Sequence, residues 1–352
     1  MKSKSGISIS SNDKLSMISN LATMYNAGIP ILETIDSMSE DSKGNTKKIL
    51  ESVKADLVQG ESVSSALSKF PKVFDKVTVN VIKAAEEAGT LDVVLKDIKV
   101  QVQKDMEFVD SVKTALTYPI IILIMFMGVL IMILVVVVPK IATVFTSLKV
   151  ALPLPTRILI FFSDIILGFT IPLIAGLVAI CVVMVFLFKT KRHLFFSAIF
   201  AFPIVSNLVK EIDLARFSRS MYLLLTSGIT ITNALDLAKD IVMRRDVAAL
   251  ISYAEQTILS GKKLSDGFKE KKAIFPSIAI KIIEAGEKTG TLDKSMEEIS
   301  NYMDYQVSAS LKKVVSLLEP LMLVFVGLLV GGMMFSIIAP IYGLISKVGA
   351  GK

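Results

Sequence analysis

Residues 82–92 decide the fold: they read IKAAEEAGTLD, and residues 283–293 repeat them as IEAGEKTGTLD. The second stretch begins 201 residues after the first. The same interval relates further residues along the chain: Leu116 to Leu317, Pro119 to Pro320, and Pro139 to Pro340. Because one interval keeps turn residues, apolar residues and prolines in register, the sequence predicts one unit present twice, a soluble segment followed by a membrane span.

The repeat extends toward the N-terminus of each copy. Residues 213–228 match residues 13–28, and residues 275–276 match residues 70–71 if a small insertion separates the copies. Apolar residues recur at helical spacing and no strand pattern competes, so we expect about six short helices in each soluble segment. The residues predicted to form the turns are glycines, a proline and first-turn aspartates: Gly28, Pro30, Gly89, Asp92, Gly228, Gly290 and Asp293.

Three apolar stretches are long enough to cross a membrane: residues 114–139, 158–188 and 320–346. Within the first, Ile120–Val138 is entirely apolar and would span roughly 28 Å as a helix. A chain of 352 residues that is 53% hydrophobic is too apolar for an ordinary soluble domain. The predicted fold class is therefore an all-α membrane protein with two duplicated cytoplasmic helical bundles and three transmembrane helices.

The predicted domains, in chain order, are a polar tail (1–12), the first cytoplasmic bundle (13–113), transmembrane helix 1 (114–139), a periplasmic loop (140–157), transmembrane helix 2 (158–188), the second cytoplasmic bundle (189–319), transmembrane helix 3 (320–346) and a short tail (347–352). Two spans separate the bundles, so both are expected on one side of the membrane. The polar N-terminus lacks the apolar core of a signal peptide, which favours the cytoplasm. Residues 194–209 leave an alternative open, a fourth span that would move the second bundle to the periplasm.

The composition excludes several classes of chemistry. Cys181 and His193 are the only cysteine and histidine, which excludes a disulfide within the chain, a Cys/His metal site and a Ser-His-Asp triad. The glycine-rich residues 286–291 lack the GxxxxGK[ST] pattern of a phosphate-binding loop. No basic patch is interleaved with aromatic residues, so nucleic acid is not an expected partner. We predict no catalytic residue, no metal site and no cofactor.

Four charged residues are candidates for contact with a partner or another subunit: Glu86, Glu287, Arg216 and Arg219. A solvated helix face is the default alternative for each of them, and the two arginines, three residues apart, share one face. Gly327 and Gly331 form a GxxxG pattern in the third span, which lets two helices approach closely. Their partner is either the first span of the same chain or a neighbouring subunit.

Several of these segments resemble the family of inner-membrane platform proteins of type II secretion systems and type IV pili, known as GspF, PilC or PilG. The motifs that carry the resemblance are LATMYNAGIPI at 21–31, AEEAGTLD at 85–92, DLARFSRSM at 213–221, LLTSGI at 224–229 and EAGEKTGTLD at 284–293. The short N-terminus makes the chain most similar to the short type IVb members, those of bundle-forming and toxin-coregulated pili.

The resemblance implies a non-catalytic scaffold for type IV pilus biogenesis in the bacterial inner membrane. It implies a homo-oligomer that contacts a cytoplasmic assembly ATPase, pilin or pseudopilin subunits and other inner-membrane assembly proteins. The alternative within the family is the pseudopilus platform of a type II secretion system. A small transporter or channel is a distant alternative, because three spans with one charged residue offer no polar path.

Overall fold

The computed structural model describes residues 6–147, 154–168, 203–271 and 274–349, and in these ranges the regular elements are all helical. The first copy contains six α-helices: α1 (Ser11–Asn26), α2 (Ile31–Asp41), α3 (Gly44–Val58), α4 (Val63–Ser68), α5 (Lys76–Ala88) and α6 (Leu91–Met132). A π-helical segment, Ile133–Val137, and α7 (Val138–Ser147) follow, and then α8 (Leu154–Gly168).

The described part of the second copy also contains six α-helices: α9 (Pro203–Thr226), α10 (Ile231–Ala238), α11 (Arg245–Leu259), α12 (Leu264–Lys269), α13 (Ser277–Thr289) and α14 (Leu292–Gly349). A single 3₁₀ turn, Lys239–Ile241, follows α10. The helices that follow this turn, α11 to α14, begin 201 residues after their counterparts α3 to α6, whereas α10 begins 200 residues after α2. The extra residue of the second copy therefore lies between the starts of α10 and α11.

The structure corrects one pairing made from the sequence. The segment between α4 and α5 has the same length as the segment between α12 and α13, so no insertion separates the copies here. Phe275 is consequently the counterpart of Phe74, not of Phe70, and both are buried. In the second copy the ring of Phe275 stacks on Phe268, with centroids 4.4 Å apart, and meets Phe217 edge to face at 6.3 Å. These rings form the centre of the second core.

The chain divides into two compact units. The bundle unit contains Met1–Ser111 and Ser206–Leu311, and therefore includes the short helices of both copies. The membrane unit contains Val112–Val205 and Lys312–Lys352. The core of the bundle unit consists of apolar side chains at helical spacing, such as Ile49, Val53 and Val81, none of which has measurable exposure.

Two helices of the structure are long and apolar enough to cross a membrane: Leu91–Thr143 and Leu292–Ile338. The first includes the whole of the first predicted span, and the second includes residues 320–338 of the third. The second predicted span is described only as far as Gly168, because residues 169–188 lie outside the described ranges, and so do residues 194–202 of the alternative fourth span. The count of three spans therefore stays a prediction.

The region after the first predicted span differs from expectation. A loop was predicted from residue 140 to 157, but α7 passes through Pro139 and ends at Ser147, and α8 begins at Leu154. The helix also continues through Pro119. A proline removes one N–H donor and crowds the preceding turn, but it does not forbid a helix whose freed carbonyl finds another donor.

Candidate interaction site

The predicted turn glycines lie at the ends of helices. Gly89 closes α5 with φ 69° and Gly290 closes α13 with φ 73°, a left-handed conformation that costs other residues about 1–2 kcal/mol. The N–H of Thr90 then donates to the carbonyl of Ala85 at 2.9 Å, a bond that satisfies a free carbonyl at the helix end. These turns direct the chain into α6 and α14.

The remaining turn residues lie as follows. Gly28 and Gly228 also have positive φ, of 85° and 79°. Pro30 immediately precedes α2. Asp92 and Asp293 occupy the first turns of α6 and α14, where the helix dipole favours a carboxylate.

Glu86 and Glu287 each bind the N-terminus of the short helix in their own copy. Oε1 of Glu86 accepts the N–H of Val63 at 2.5 Å, and Oε2 accepts the N–H of Ser64 at 2.9 Å. Oε2 of Glu287 accepts the hydroxyl of Ser265 at 2.5 Å, and its Oε1 accepts the N–H of that serine at 3.3 Å. The carboxylates thus satisfy donors that a helix start leaves unpaired, and anions are favoured there. A role of either residue in contact with a partner stays a prediction.

Arg219 joins the two copies within the bundle unit. Its Nη1 donates to Asp105 of α6 at 3.2 Å, and its Nη2 donates to Asp304 of α14 at 2.5 Å. The ammonium group of Lys104 donates to Asp304 at 3.0 Å and to the side chain of Asn301 at 2.9 Å. The side chain of Arg219 is 11% exposed, so these contacts are shielded from water more than most surface ion pairs. We call these five residues the Arg219 network.

Arg216 lies near the carboxylate of Asp213 and not in the Arg219 network. Its charge contributes to lowering the pKa of Asp213, whereas burial, the larger effect, raises that pKa above its ordinary value. The carboxylate of Asp213 is fully buried and accepts the N–H groups of Met243 and Arg244 at 2.9 and 2.7 Å. Asp213 therefore holds the start of α11 against α9.

A second polar cluster lies on the same three helices as the Arg219 network. The hydroxyl of Tyr222 on α9 lies near the carboxylate of Asp97 on α6 and contributes to lowering the pKa of that carboxyl. Burial, followed by the charge of Glu297 on α14, raises the pKa of Asp97 above its ordinary value. Burial and the nearby carboxylates raise the pKa of Tyr222 as well.

Sequence reasoning missed the acidic residues of these clusters, because α6, α9 and α14 are distant along the chain. A signal does exist within single helices. Asp97 and Lys104 lie seven residues apart, as do Glu297 and Asp304, so each pair shares a helix face. That spacing identifies a polar face but not the helix it meets.

Two glycines that were not predicted as site residues mark close helix contacts in the second copy. A Cβ on Gly267 of α12 would lie 2.7 Å from Cα of Ala254 on α11. A Cβ on Gly286 of α13 would lie 2.1 Å from the hydroxyl of Ser295 on α14. Gly327 and Gly331 differ, because a Cβ on either would have no neighbour within 4 Å among the described contacts.

Comparisons with known proteins agree with the duplication. The family model described as type II secretion system (T2SS), protein F matches twice, at residues 17–139 and 217–340. The type IV pilus assembly protein PilC of Thermus thermophilus is 30% identical over 328 residues, covering 92% of this chain and 80% of that protein.

Two further relatives have similar coverage. PilC of Myxococcus xanthus is 29% identical over 339 residues, covering 96% of this chain and 81% of that protein. Type II secretion system protein F of Pseudomonas aeruginosa is 28% identical over 346 residues, covering 97% and 85%. Because the family model covers both copies and the relatives span nearly the whole chain, this protein belongs to the type II secretion system protein F family, which includes the PilC proteins of type IV pili.

Proposed function

We propose that the chain is an inner-membrane platform protein for type IV pilus biogenesis. In this role it couples a cytoplasmic assembly ATPase to the extraction of pilin subunits from the membrane and to their polymerisation. The observation that carries the proposal is the Arg219 network, which ties α6 of the first copy to α14 of the second. Each of these helices continues into an apolar stretch long enough to cross a membrane. A load on one bundle is therefore shared by both helices.

The proposed role is that of a scaffold and not of an enzyme. The chain has one histidine and one cysteine and lacks the sequence of a phosphate-binding loop, so the energy for assembly has to come from the ATPase. We propose that the chain oligomerises with itself and also contacts pilin subunits and other inner-membrane assembly proteins. Relatives named as type IV pilus assembly proteins support a role among other assembly components.

The coupling role is tested by retention of the ATPase on the full-length protein in detergent. The wild-type protein should retain the ATPase, and Arg216→Glu, which reverses a charge on α9, should weaken retention. Lys14→Glu, an equal charge reversal in the first copy, is the matched control. Failure of the wild-type protein to retain the ATPase under conditions where the motor is folded and active would reject the proposal.

The proposed topology places the protein in the inner membrane as a multi-pass protein with both bundles in the cytoplasm. It is tested by single cysteines at Ser260 and Ser147, introduced after Cys181→Ser. A maleimide that cannot cross the membrane should label Ser147→Cys in spheroplasts and should label Ser260→Cys only after lysis. Labelling of both positions before lysis would place the second bundle in the periplasm, as the fourth-span alternative requires.

The second candidate is the platform of a type II secretion pseudopilus, which the 28% identity to protein F of Pseudomonas aeruginosa favours. Deletion of the gene distinguishes the two, because loss of surface pili supports the first role and loss of protein secretion with normal pili supports the second. The distant transporter alternative is tested separately by solute flux into liposomes that contain the purified protein alone.

A further inference from the structure

The π-helical segment before Pro139 creates a carbonyl without a donor from its own helix. The N–H of Val138 donates to the carbonyl of Ile133, five residues back. In that register the next donor would be residue 139 and its acceptor Leu134, but proline has no N–H. The carbonyl of Leu134 therefore has to find a donor elsewhere, and lipid has none to offer.

A hydroxyl on α8 supplies that donor. The Oγ of Ser163 donates to the carbonyl of Leu134 at 2.6 Å. Ser163 is 1% exposed and Leu134 6% exposed, so the bond is made in a dry contact within the membrane unit. The hydroxyl takes the place of the N–H that Pro139 lacks.

The same arrangement recurs at the equivalent proline of the second copy. In an α-helix the N–H of residue 340 would donate to the carbonyl of Ser336, and Pro340 cannot. The Oγ1 of Thr156, also on α8, donates to the carbonyl of Ser336 at 2.5 Å. Thr156 is 2% exposed and Ser336 7% exposed, so this bond is equally shielded.

Both hydroxyls come from one helix, α8. Thr156 and Ser163 are seven residues apart, which places them on one face of α8 two turns from each other. Their acceptors precede Pro139 and Pro340, which the repeat interval makes equivalent. One helix thus supplies one donor to each copy, at the residue where the proline has removed one.

We propose that Thr156 and Ser163 are positioning residues that fix the two repeat-related membrane helices to α8 at their prolines. Each hydroxyl donates a hydrogen bond to a carbonyl of another helix, so its role goes beyond filling space in the packing. These two satisfy carbonyls that would otherwise remain unpaired in an apolar environment, where an unpaired carbonyl is costly. This inference concerns packing of the membrane unit and does not depend on the proposed function.

The first test compares hydroxyl deletions in the full-length protein, unfolded reversibly by SDS in mixed micelles. Thr156→Val and Ser163→Ala should each raise the unfolding equilibrium constant about three-fold, and at most about twenty-fold, the range for hydrogen bonds between membrane helices. Thr156→Ser keeps the hydroxyl and should stay closer to wild type. The controls are Thr117→Val and Ser316→Ala, whose hydroxyls bond to carbonyls of their own helices.

The second test restores the missing donors. Pro340→Ala returns an N–H that can bond to the carbonyl of Ser336, so Thr156→Val should lose its effect in that background while Ser163→Ala keeps its own. In the Pro139→Ala background, Ser163→Ala should lose its effect and Thr156→Val should keep its own. Equal losses from Thr156→Val with and without Pro340→Ala, or losses in the control variants as large as in the test variants, would overturn the proposal. If a single variant fails to fold, rescue of folding by the matching proline substitution supports it and failure of rescue contradicts it.

Discussion

Replacing Arg219 by methionine should loosen the contact between the two copies. The substitution preserves much of the side-chain volume and removes hydrogen bonds of 3.2 Å to Asp105 and 2.5 Å to Asp304. Removing one partner of a buried ion pair costs about 3–5 kcal/mol, and an exposed pair is worth about 0–1 kcal/mol. Asp105 is 46% exposed and can be hydrated, and Asp304 retains Lys104 at 3.0 Å. The expected loss in free energy of unfolding is therefore intermediate, about 1–3 kcal/mol.

Thermal unfolding of the full-length protein in detergent, followed by circular dichroism, measures this loss. Arg216→Met is the matched control, because that arginine is on the same helix and its charge acts on Asp213 more weakly than the two backbone N–H groups do. Its loss should cost about 0–1 kcal/mol. Arg219→Lys should be intermediate, since an ammonium group cannot reproduce the fork of two bonds. If Arg219→Met and Arg216→Met cost the same, the network does not hold the copies together.

Three further predictions concern single contacts, all measured by the same unfolding experiment. Glu86→Ala should lower the free energy of unfolding by about 0.5–2 kcal/mol, because it removes the acceptor for two N–H groups of α4. Glu87→Ala, at an exposed neighbouring position, should change it little, and equal losses in the two variants would exclude the capping role. Gly267→Ala should cost up to about 2 kcal/mol, the overpacking cost of about 1–3 kcal/mol less about 1 kcal/mol of helix propensity gained, because its Cβ would meet the backbone of Ala254. Gly128→Ala, with nothing within 4 Å, should be neutral or stabilising, and an equal change in the free energy of unfolding in both variants would show that α11 and α12 separate readily. The folded-state pKa of Asp97 is raised above 3.8, so its contribution to stability is present below that pH and is lost as the pH rises through the folded-state pKa. Asp97→Asn should therefore reduce the fall in the free energy of unfolding that the wild-type protein shows above pH 3.8. An unchanged pH profile in the variant would contradict this.

The sequence predicts the local structure of this protein better than its long-range contacts. Helix ends at Gly89 and Gly290 follow from local rules, since glycine accepts a left-handed conformation and the next N–H closes the turn. The match of Phe275 to Phe70 was wrong because a shared Phe-Pro pair outweighed the constant interval of 201 residues, which pairs Phe275 with Phe74 as the helix bounds do. Glu86 is an ordinary surface glutamate by sequence, and its role depends on the distant N-terminus of α4.

The contacts that join the copies are less symmetric than the copies themselves. The capping glutamates and turn glycines occur in both, but Arg219 corresponds to Ser19 and Asp105 corresponds to Gln306. If two copies of a repeated unit meet through different faces, each copy still has one unused face that can bind a further copy. Such a contact can continue without closing and lead to open-ended association. Because the first copy lacks the arginine and the second lacks this aspartate, the Arg219 network can form only once per chain. The divergence thus confines this contact to one pair of bundles.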